Sequence, residues 1–443
     1  MNYAIAKKFD LWSLVKFTIP TITMMLFISL YTIVDGIFIS RFIGTTALSG
    51  LNIAYPFINC IHATAIMLGA GGSAIIAIKM GEGKQDEGRK AFSLIVFTGL
   101  FLGICISILG TIFIHDIIRF LGASPMLEVY SYDYLKVIIL FAPFFILQML
   151  FQTFFITAGN PGLGLKLTLI SGITNTILDY VFIKTLNLGM AGAALATVSG
   201  CIVVSVFGAL YFYFSKKSVL YFTKVNLNLK LIKEVCINGS SEMVTDISTG
   251  VVTFLFNLMM MKYMGEKGVA AITIILYAQF VFISIYMGFS MGAAPIMSYN
   301  FGNKNEQQLK SLFKICSKLI LGSSLLVFIA SIIFSKYIVG FFTPEGTEVY
   351  AIAVKGFSLF SIAYIFSGFN IFSSSLFTAL SNGKISAIIS FMRTLVFIVI
   401  GLFTLPLIFQ ENGLWLAVPL AEVLSVIVSI SFLKRERYNY GYI

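Results

Sequence analysis

The sequence predicts an all-α integral membrane protein, with twelve transmembrane helices forming two pseudo-symmetric six-helix lobes. Three observations predict it. First, twelve apolar stretches of spanning length fill the 443 residues, of which 58% are hydrophobic and 11% charged. About 20 apolar residues in a helix cross a hydrocarbon core, whereas a soluble domain carries about 25% charged residues. Second, Lys and Arg gather in alternate loops. Third, residues recur at an offset of 221: Gly44 with Gly265, Gly71 with Gly292, Gly81 with Gly302, Thr157-Ala158 with Thr378-Ala379, and Gly192 with Gly413.

The first lobe is residues 1–214. Its first span, 14–40, follows Lys7 and Lys8 and is too long, without a small-residue cleavage site, for a signal peptide; it is expected to be retained. Pro20 interrupts the hydrogen-bond ladder of this span and can act as its hinge. Gly44 precedes span two, 50–79, which ends at Gly81-Glu82-Gly83. Spans three and four follow at 91–114 and 131–157. Gly159-Asn160-Pro161-Gly162 breaks the chain before span five, 163–183, and Asn187-Leu188-Gly189 before span six, 190–214. The polar stretch 215–233, with Lys216, Lys217 and Lys224, reads as a linker between lobes. The second lobe, 234–443, carries spans at 234–261, 269–298, 310–334, 350–379, 384–408 and 414–433. Gly302-Asn303 and Asn412-Gly413 punctuate it, and Lys434, Arg435 and Arg437 make a short basic tail. Trp12 and Trp415 fit interfacial anchors.

Of the 30 Lys and Arg residues, 21 fall on the side of both termini and eight on the other, with Arg393 inside a span. Basic residues favour cytoplasmic loops, so both termini are expected in the cytoplasm of a bacterial plasma (inner) membrane protein. The net charge of +11 has the same origin. No basic, aromatic-interleaved soluble module suggests nucleic acid as a partner. Cys60, Cys105, Cys201, Cys236 and Cys316 are far apart and show no metal or disulfide spacing. Neither a Walker A pattern, an HExxH helix nor a nucleophile elbow is present, so no enzyme activity and no cofactor are expected. Uphill transport would then draw on an ion gradient, which supplies about 2.3 kcal/mol per charge per 100 mV. Six spans per repeat relate the halves by an axis along the membrane normal, around a central cavity suited to alternating access.

Ionisable residues inside spans are costly to hold there and default to function. Asp35 lies in span one, Asp179 in span five with Asn175 one turn earlier on the same face, and Thr197 in span six. At about 1.5 Å per residue, Asp35 lies roughly 9 Å below Arg41, Asp179 roughly 8 Å below Lys184 and Thr197 roughly 12 Å below Gly189. These oxygens therefore share a layer. Two carboxylates in one apolar pocket share a proton or hold a small cation between them. With Asn and Thr oxygens added, the same pocket suits H⁺ or Na⁺. Tyr31, one turn from Asp35, can hydrogen-bond into it. The second half lacks this set. It carries Glu242 and Asp246 at i,i+4 in span seven and Glu422 in span twelve, candidates for a cationic substrate or a second proton, with Arg393 a conceivable partner. His62 and His115 stand alone in sequence and read as packing histidines.

At these residues the chain resembles the multidrug and toxic compound extrusion family, in its bacterial drug-efflux branch. The resemblance rests on Ile19-Pro20, Val34-Asp35-Gly36, Ala47-Leu48-Ser49-Gly50-Leu51-Asn52 and Tyr55-Pro56. It continues through Gly159-Asn160-Pro161, Gly172, Asn175, Leu178-Asp179 and the run Gly192-Ala193-Ala194-Leu195-Ala196-Thr197. It implies two six-helix lobes about a V-shaped cleft and export of organic cations in exchange for H⁺ or Na⁺. It also implies a first-lobe cation site at the positions of Asp35, Asn175, Asp179 and Thr197, with Tyr31 beside it and Pro20 as a bending point. Some relatives carry an acid in span ten; here Asn370 stands nearby, and it joins Asp246, Glu242 and Glu422 as a candidate second site. A monomer in the bilayer, exporting cationic or amphipathic drugs, is the expected protein. A lipid or lipid-linked oligosaccharide flippase of the same superfamily and an uncoupled channel or receptor are the alternatives.

Overall fold

Asp10 starts the first long helix: its carboxylate accepts from the Ser13 amide at 2.9 Å while Ser13 Oγ accepts from the Asp10 amide at 2.8 Å. This reciprocal cap satisfies two of the donors that a helix start leaves free. The helix, α1 (Leu11–Phe42), runs through Pro20 as one element. The computed structural model describes residues 3–215 and 218–442, so Lys216 and Lys217 of the linker lie outside the described residues.

After α1 come α2 (Thr45–Gly81), α3 (Gln85–Ile112), the short α4 (Ile114–Phe120), α5 (Pro125–Leu140), α6 (Ala142–Thr157), α7 (Pro161–Asp179) and α8 (Gly189–Phe214). A π-helical segment, Tyr180–Thr185, extends α7. The second half opens with α9 (Leu229–Gly302), followed by α10 (Glu306–Ile333), the short α11 (Ser335–Phe342), α12 (Glu348–Phe360), α13 (Tyr364–Ala379), α14 (Gly383–Phe391), α15 (Phe397–Phe409) and α16 (Glu411–Tyr440). A second π-helical segment, Met392–Val396, joins α14 to α15. Among the described residues, nine helices or helix runs are long and apolar enough to cross a membrane, or ten with the bent pair α5–α6.

Several expectations change. Span four is not straight: α5 and α6 meet at 61°, because Pro143 in the first turn of α6 has no amide to continue the ladder. Spans seven and eight form one helical run, α9, broken only at Gly265, whose φ of 64° no helix tolerates. The basic tail is not loose. It continues α16, and Tyr442 turns back to donate to the Leu433 carbonyl at 2.9 Å. The linker is pinned by Arg89, which is buried rather than a free loop charge: it donates to the Val219 carbonyl at 3.1 Å and covers the Tyr221 ring at 4.5 Å.

Trp415 is also corrected. It is 1% exposed, not an interfacial anchor, because Gly356 has no side chain and leaves room for the indole. Trp12, 78% exposed, keeps the anchor reading. Trp415→Ala should therefore cost about 3–5 kcal/mol as a cavity, read as a lower melting temperature in detergent, while Trp12→Ala leaves it near wild type.

The backbone repeats at the offset read from the sequence. Positive φ occurs at Gly44 and Gly265, at Gly83 and Lys304, and at Gly189 and Gln410, each pair 221 residues apart. The short helices α4 and α11 start 221 residues apart as well. Thr157 and Thr378, another such pair, each present a carbonyl to a side-chain donor, from Tyr3 at 2.7 Å and from Asn238 at 2.9 Å.

Both termini lie at one end of the bundle. Tyr3 packs edge-on against Tyr299, with centroids 5.3 Å apart, and Tyr440 against Phe301 at 5.6 Å. At this terminal end the two halves touch backbone to backbone. A Cβ at Gly71 would overlap the Val235 carbonyl, one at Gly239 the Met67 carbonyl, one at Gly81 the Tyr299 carbonyl, and one at Gly302 the Ile78 carbonyl. Gly288 of α9 meets the Ile22 and Thr21 backbone of α1 in the same way, and Gly292 meets the Thr21 and Thr18 side chains. Small residues let helices approach closely where lipid supplies no hydrophobic drive. The contacts exchange under the 221 offset: Gly71 meets Gly239 as Gly292 meets Thr18.

Candidate functional site

Two glycines bring the polar side chains together. Gly172 in α7 lies where a Cβ would overlap the Phe27 ring of α1, and Gly200 in α8 where one would crowd Ser171 of α7. α1, α7 and α8 can therefore close on one another near Asp35, Asn175, Asp179 and Thr197. Asp179 is the last α-helical residue before the π-helical segment. The wider turn adds a residue and re-aims the chain, a device frequent at functional sites.

The carboxyls of Asp35 and Asp179 are close enough to interact electrostatically. Both are buried, at 8% and 0% exposure. One turn earlier, Asn175 Nδ2 donates to Thr197 Oγ1 at 3.4 Å, and that hydroxyl donates to the Ala193 carbonyl at 3.2 Å. Asn175 thus turns its carbonyl oxygen away from Thr197. Asp35 Oδ1, both Asp179 oxygens and Asn175 Oδ1 are buried without a protein donor. Leaving such acceptors unmatched costs about 1–3 kcal/mol each. A proton shared by the carboxyls, or a small cation among the four oxygens, satisfies them.

The four residues read from sequence are therefore neighbours, as the depth argument expects. Tyr31 also lies within electrostatic range of Asp35. Two further phenols were missed. Tyr55 of α2 lies within electrostatic range of Asp35, and Tyr134 of α5 within range of Asp35, Asp179 and Thr197. Tyr55 stood in a quoted motif without a role; Tyr134 had no distinguishing spacing. Pro20 sits elsewhere, at the crossing of α1 with Gly288 and Gly292.

The second set of acids divides. Glu422 is buried and partnered: Asn370 Nδ2 donates to its carboxylate at 2.6 Å and to its backbone carbonyl at 2.9 Å, and Arg393 Nη1 lies 3.8 Å away. Asn370 Oδ1 accepts from Ser429 at 3.1 Å. Glu422 thus sits in a closed network that includes Arg393, the partner the sequence left open. Asp246 instead meets His62, Nδ1 to Oδ2 at 2.6 Å, across the two halves. Glu242, one turn from Asp246, lies within range of both Asp246 and Arg393. His62 was read as a packing residue, and nothing in its flanking sequence marks a partner 184 residues away. His115 stacks on Tyr132 at 4.9 Å and pairs with Glu128 at 3.2 Å. Among the described residues, no group of three or more His, Cys, Asp or Glu side chains could hold a metal ion.

The model of the MatE family matches the chain twice, over residues 20–181 and 243–403. The multidrug export protein MepA of Staphylococcus aureus (strain MRSA252) is 25% identical over 439 residues, covering 96% of this chain and 94% of that protein. MepA of Staphylococcus saprophyticus is 23% identical over 409 residues, 91% and 87% of the two chains. A solved multidrug resistance MATE family transporter of the MOP superfamily, in an outward-facing conformation, superposes with a TM-score of 0.94 at 20% identity, covering 100% of this chain and 99% of that one. With two matches spanning most of its length and the same helical architecture, the chain belongs to the MatE family of multi-pass membrane transporters.

Proposed function

We propose that the protein is a secondary antiporter that exports cationic, amphipathic drugs in exchange for H⁺ or Na⁺ bound at Asp35 and Asp179. One observation carries this reading: four buried acceptor oxygens from α1 and α7 converge with no protein donor. For Na⁺, the ligands are the two carboxylates, Asn175 Oδ1 and the remaining lone pair of Thr197 Oγ1; for H⁺, the carboxyl pair suffices. The ion is cargo in either case and no cofactor is required. The drug-export function of the MepA relatives supports the substrate class.

The working topology is twelve crossings. It divides α9 at Gly265, counts α5–α6 once and adds α7. Two lobes, 1–214 and 234–443, then rock about the glycine contacts at the terminal end. Lys and Arg placement puts that end in the cytoplasm, in a bacterial inner membrane, and the unit is a monomer.

The deciding experiment is gradient-driven transport by the purified protein in proteoliposomes, with an organic cation as cargo and pH or Na⁺ gradients imposed separately. Uphill cation movement under one gradient is the expected result. Movement only downhill, whatever the ion gradient, rejects antiport in favour of a channel, and lipid scrambling without cation transport favours the flippase. Thr197→Ala and Asn175→Ala each remove a neutral ligand. Each should raise the ion concentration needed for half-maximal export by about tenfold, as supporting groups around a bound ion do, with the maximal rate retained.

A further inference from the structure

Among the described residues the contact between His62 of α2 and Asp246 of α9 is the one contact between a basic and an acidic side chain that joins the two halves. It lies about 25–28 Å from the terminal end along either helix, by the 1.5 Å rise, which is mid-membrane. Closer to that end come the glycine contacts of Gly71 with Gly239 and Gly81 with Gly302. The pair therefore sits just beyond the closed seam. It is not sealed in: the side chains are 33% and 21% exposed, unlike the Asp35–Asp179 pair. The charges around it do not balance. Glu422 is matched by Arg393 and Asn370, while Glu242 and Asp246 share what remains, namely distant Arg393 and the imidazole. From α6, Phe145 presents its ring edge-on to His62 with centroids 6.4 Å apart, an apolar surface beside a carboxylate.

We propose that His62 is a built-in competitor for the exported cation: its ring occupies Asp246 in the empty transporter, and an organic cation takes that carboxylate by releasing the tie between α2 and α9. This rests on the export of organic cations proposed above and adds the place where the cation lands and the residue it displaces. Phe145 takes the apolar body of the cargo, and Glu242 supplies a second negative charge one helical turn away. Displacement loosens the one polar cross-link at the mouth of the seam, so cargo binding and separation of the halves are the same event. Differential contact of this kind is what lets a ligand bias two states. The imidazole and an organic cation cannot hold the same carboxylate oxygen at once, so each excludes the other. The groups facing it are Asp246 and Glu242 from α9 and Phe145 from α6, with Arg393 behind Glu242.

The test is equilibrium binding of radiolabelled tetraphenylphosphonium, a cation with no titrating group, to the purified full-length protein in detergent at one fixed pH. His62→Ala should bind about three- to tenfold tighter than wild type, the range expected for losing a partly exposed competitor. His62→Lys, a permanent cation, should bind more weakly than wild type. His62→Gln should resemble His62→Ala and so separates the imidazole's hold on Asp246 from packing. Asp246→Asn should bind at least about tenfold more weakly, and His62→Ala added to it should restore nothing. A residue of merely structural importance would weaken binding in Ala and Lys alike. Equal or weaker binding by both His62→Ala and His62→Gln overturns the proposal, as does binding by His62→Lys as tight as by His62→Ala. Asp35→Asn should preserve the order Ala, wild type, Lys. Failure of ion coupling at Asp35 therefore reads separately from failure here.

Discussion

Asp35→Asn and Asp179→Asn should each abolish ion-driven export while leaving a folded transporter that still binds its organic cation. Coupling is a differential affinity of each ligand for the two access states, and coupling free energies of 1–3 kcal/mol correspond to about 5- to 150-fold. An amide in place of either carboxylate removes the negative charge that makes the four-oxygen cluster a cation site. Uphill accumulation in proteoliposomes should then fall by about a hundredfold, to the level of empty vesicles. Stability should move the other way. Each Asn brings two N–H donors to a place where Asp35 Oδ1, Asp179 oxygens and Asn175 Oδ1 have none. The melting temperature of both variants should thus equal or exceed that of wild type. Undiminished gradient-driven transport in both variants would remove the ion site from Asp35 and Asp179, whatever the fold.

Gly239→Ala and Gly302→Ala should be the most damaging substitutions away from the ion site. At both positions the partner is backbone, a carbonyl of α2, which cannot rotate aside as a side chain can. Overpacking of this kind costs about 1–3 kcal/mol, comparable to the gap between two access states. The halves should part at the terminal end, and the transporter should rest in the state open there. Spin labels at Glu82 and Lys304, both exposed beside the seam, would report a longer separation than in wild type, and export should drop about tenfold or more. Gly250→Ala and Gly322→Ala are the controls, because a Cβ there meets nothing within 4 Å. Unchanged label distances in Gly239→Ala would show that the seam does not govern access.

The polar cluster of α1, α7 and α8 was readable before the structure because it obeys simple rules. Asp35, Asn175, Asp179 and Thr197 are polar residues in apolar spans, and helical rise alone puts them at one depth. Depth, however, says nothing about rotation. Tyr134 stands among Ser131, Tyr132 and Asp133 with no signal that it, rather than Tyr132, turns inward to Thr197. Glu422 and Asp246 looked alike as isolated intramembrane acids, yet one is enclosed by Arg393 and Asn370 and the other meets a histidine. Trp415 and Trp12 likewise shared a plausible interfacial position, and only the empty space over Gly356 separates them.

Class, spacing and repetition are properties of a string. Apolar run length, the side on which Lys and Arg collect and the 221-residue offset need no partner residue, so membrane residence, the helical elements and the doubled backbone follow from them. Contacts between residues far apart in the chain are set by how each helix is rotated and how closely its neighbours approach. His62 against Asp246, Gly71 against Gly239 and the bend between α5 and α6 are of that kind. Their energies depend on ångström-scale packing and on which face is turned inward, quantities that exist only once the helices have assembled.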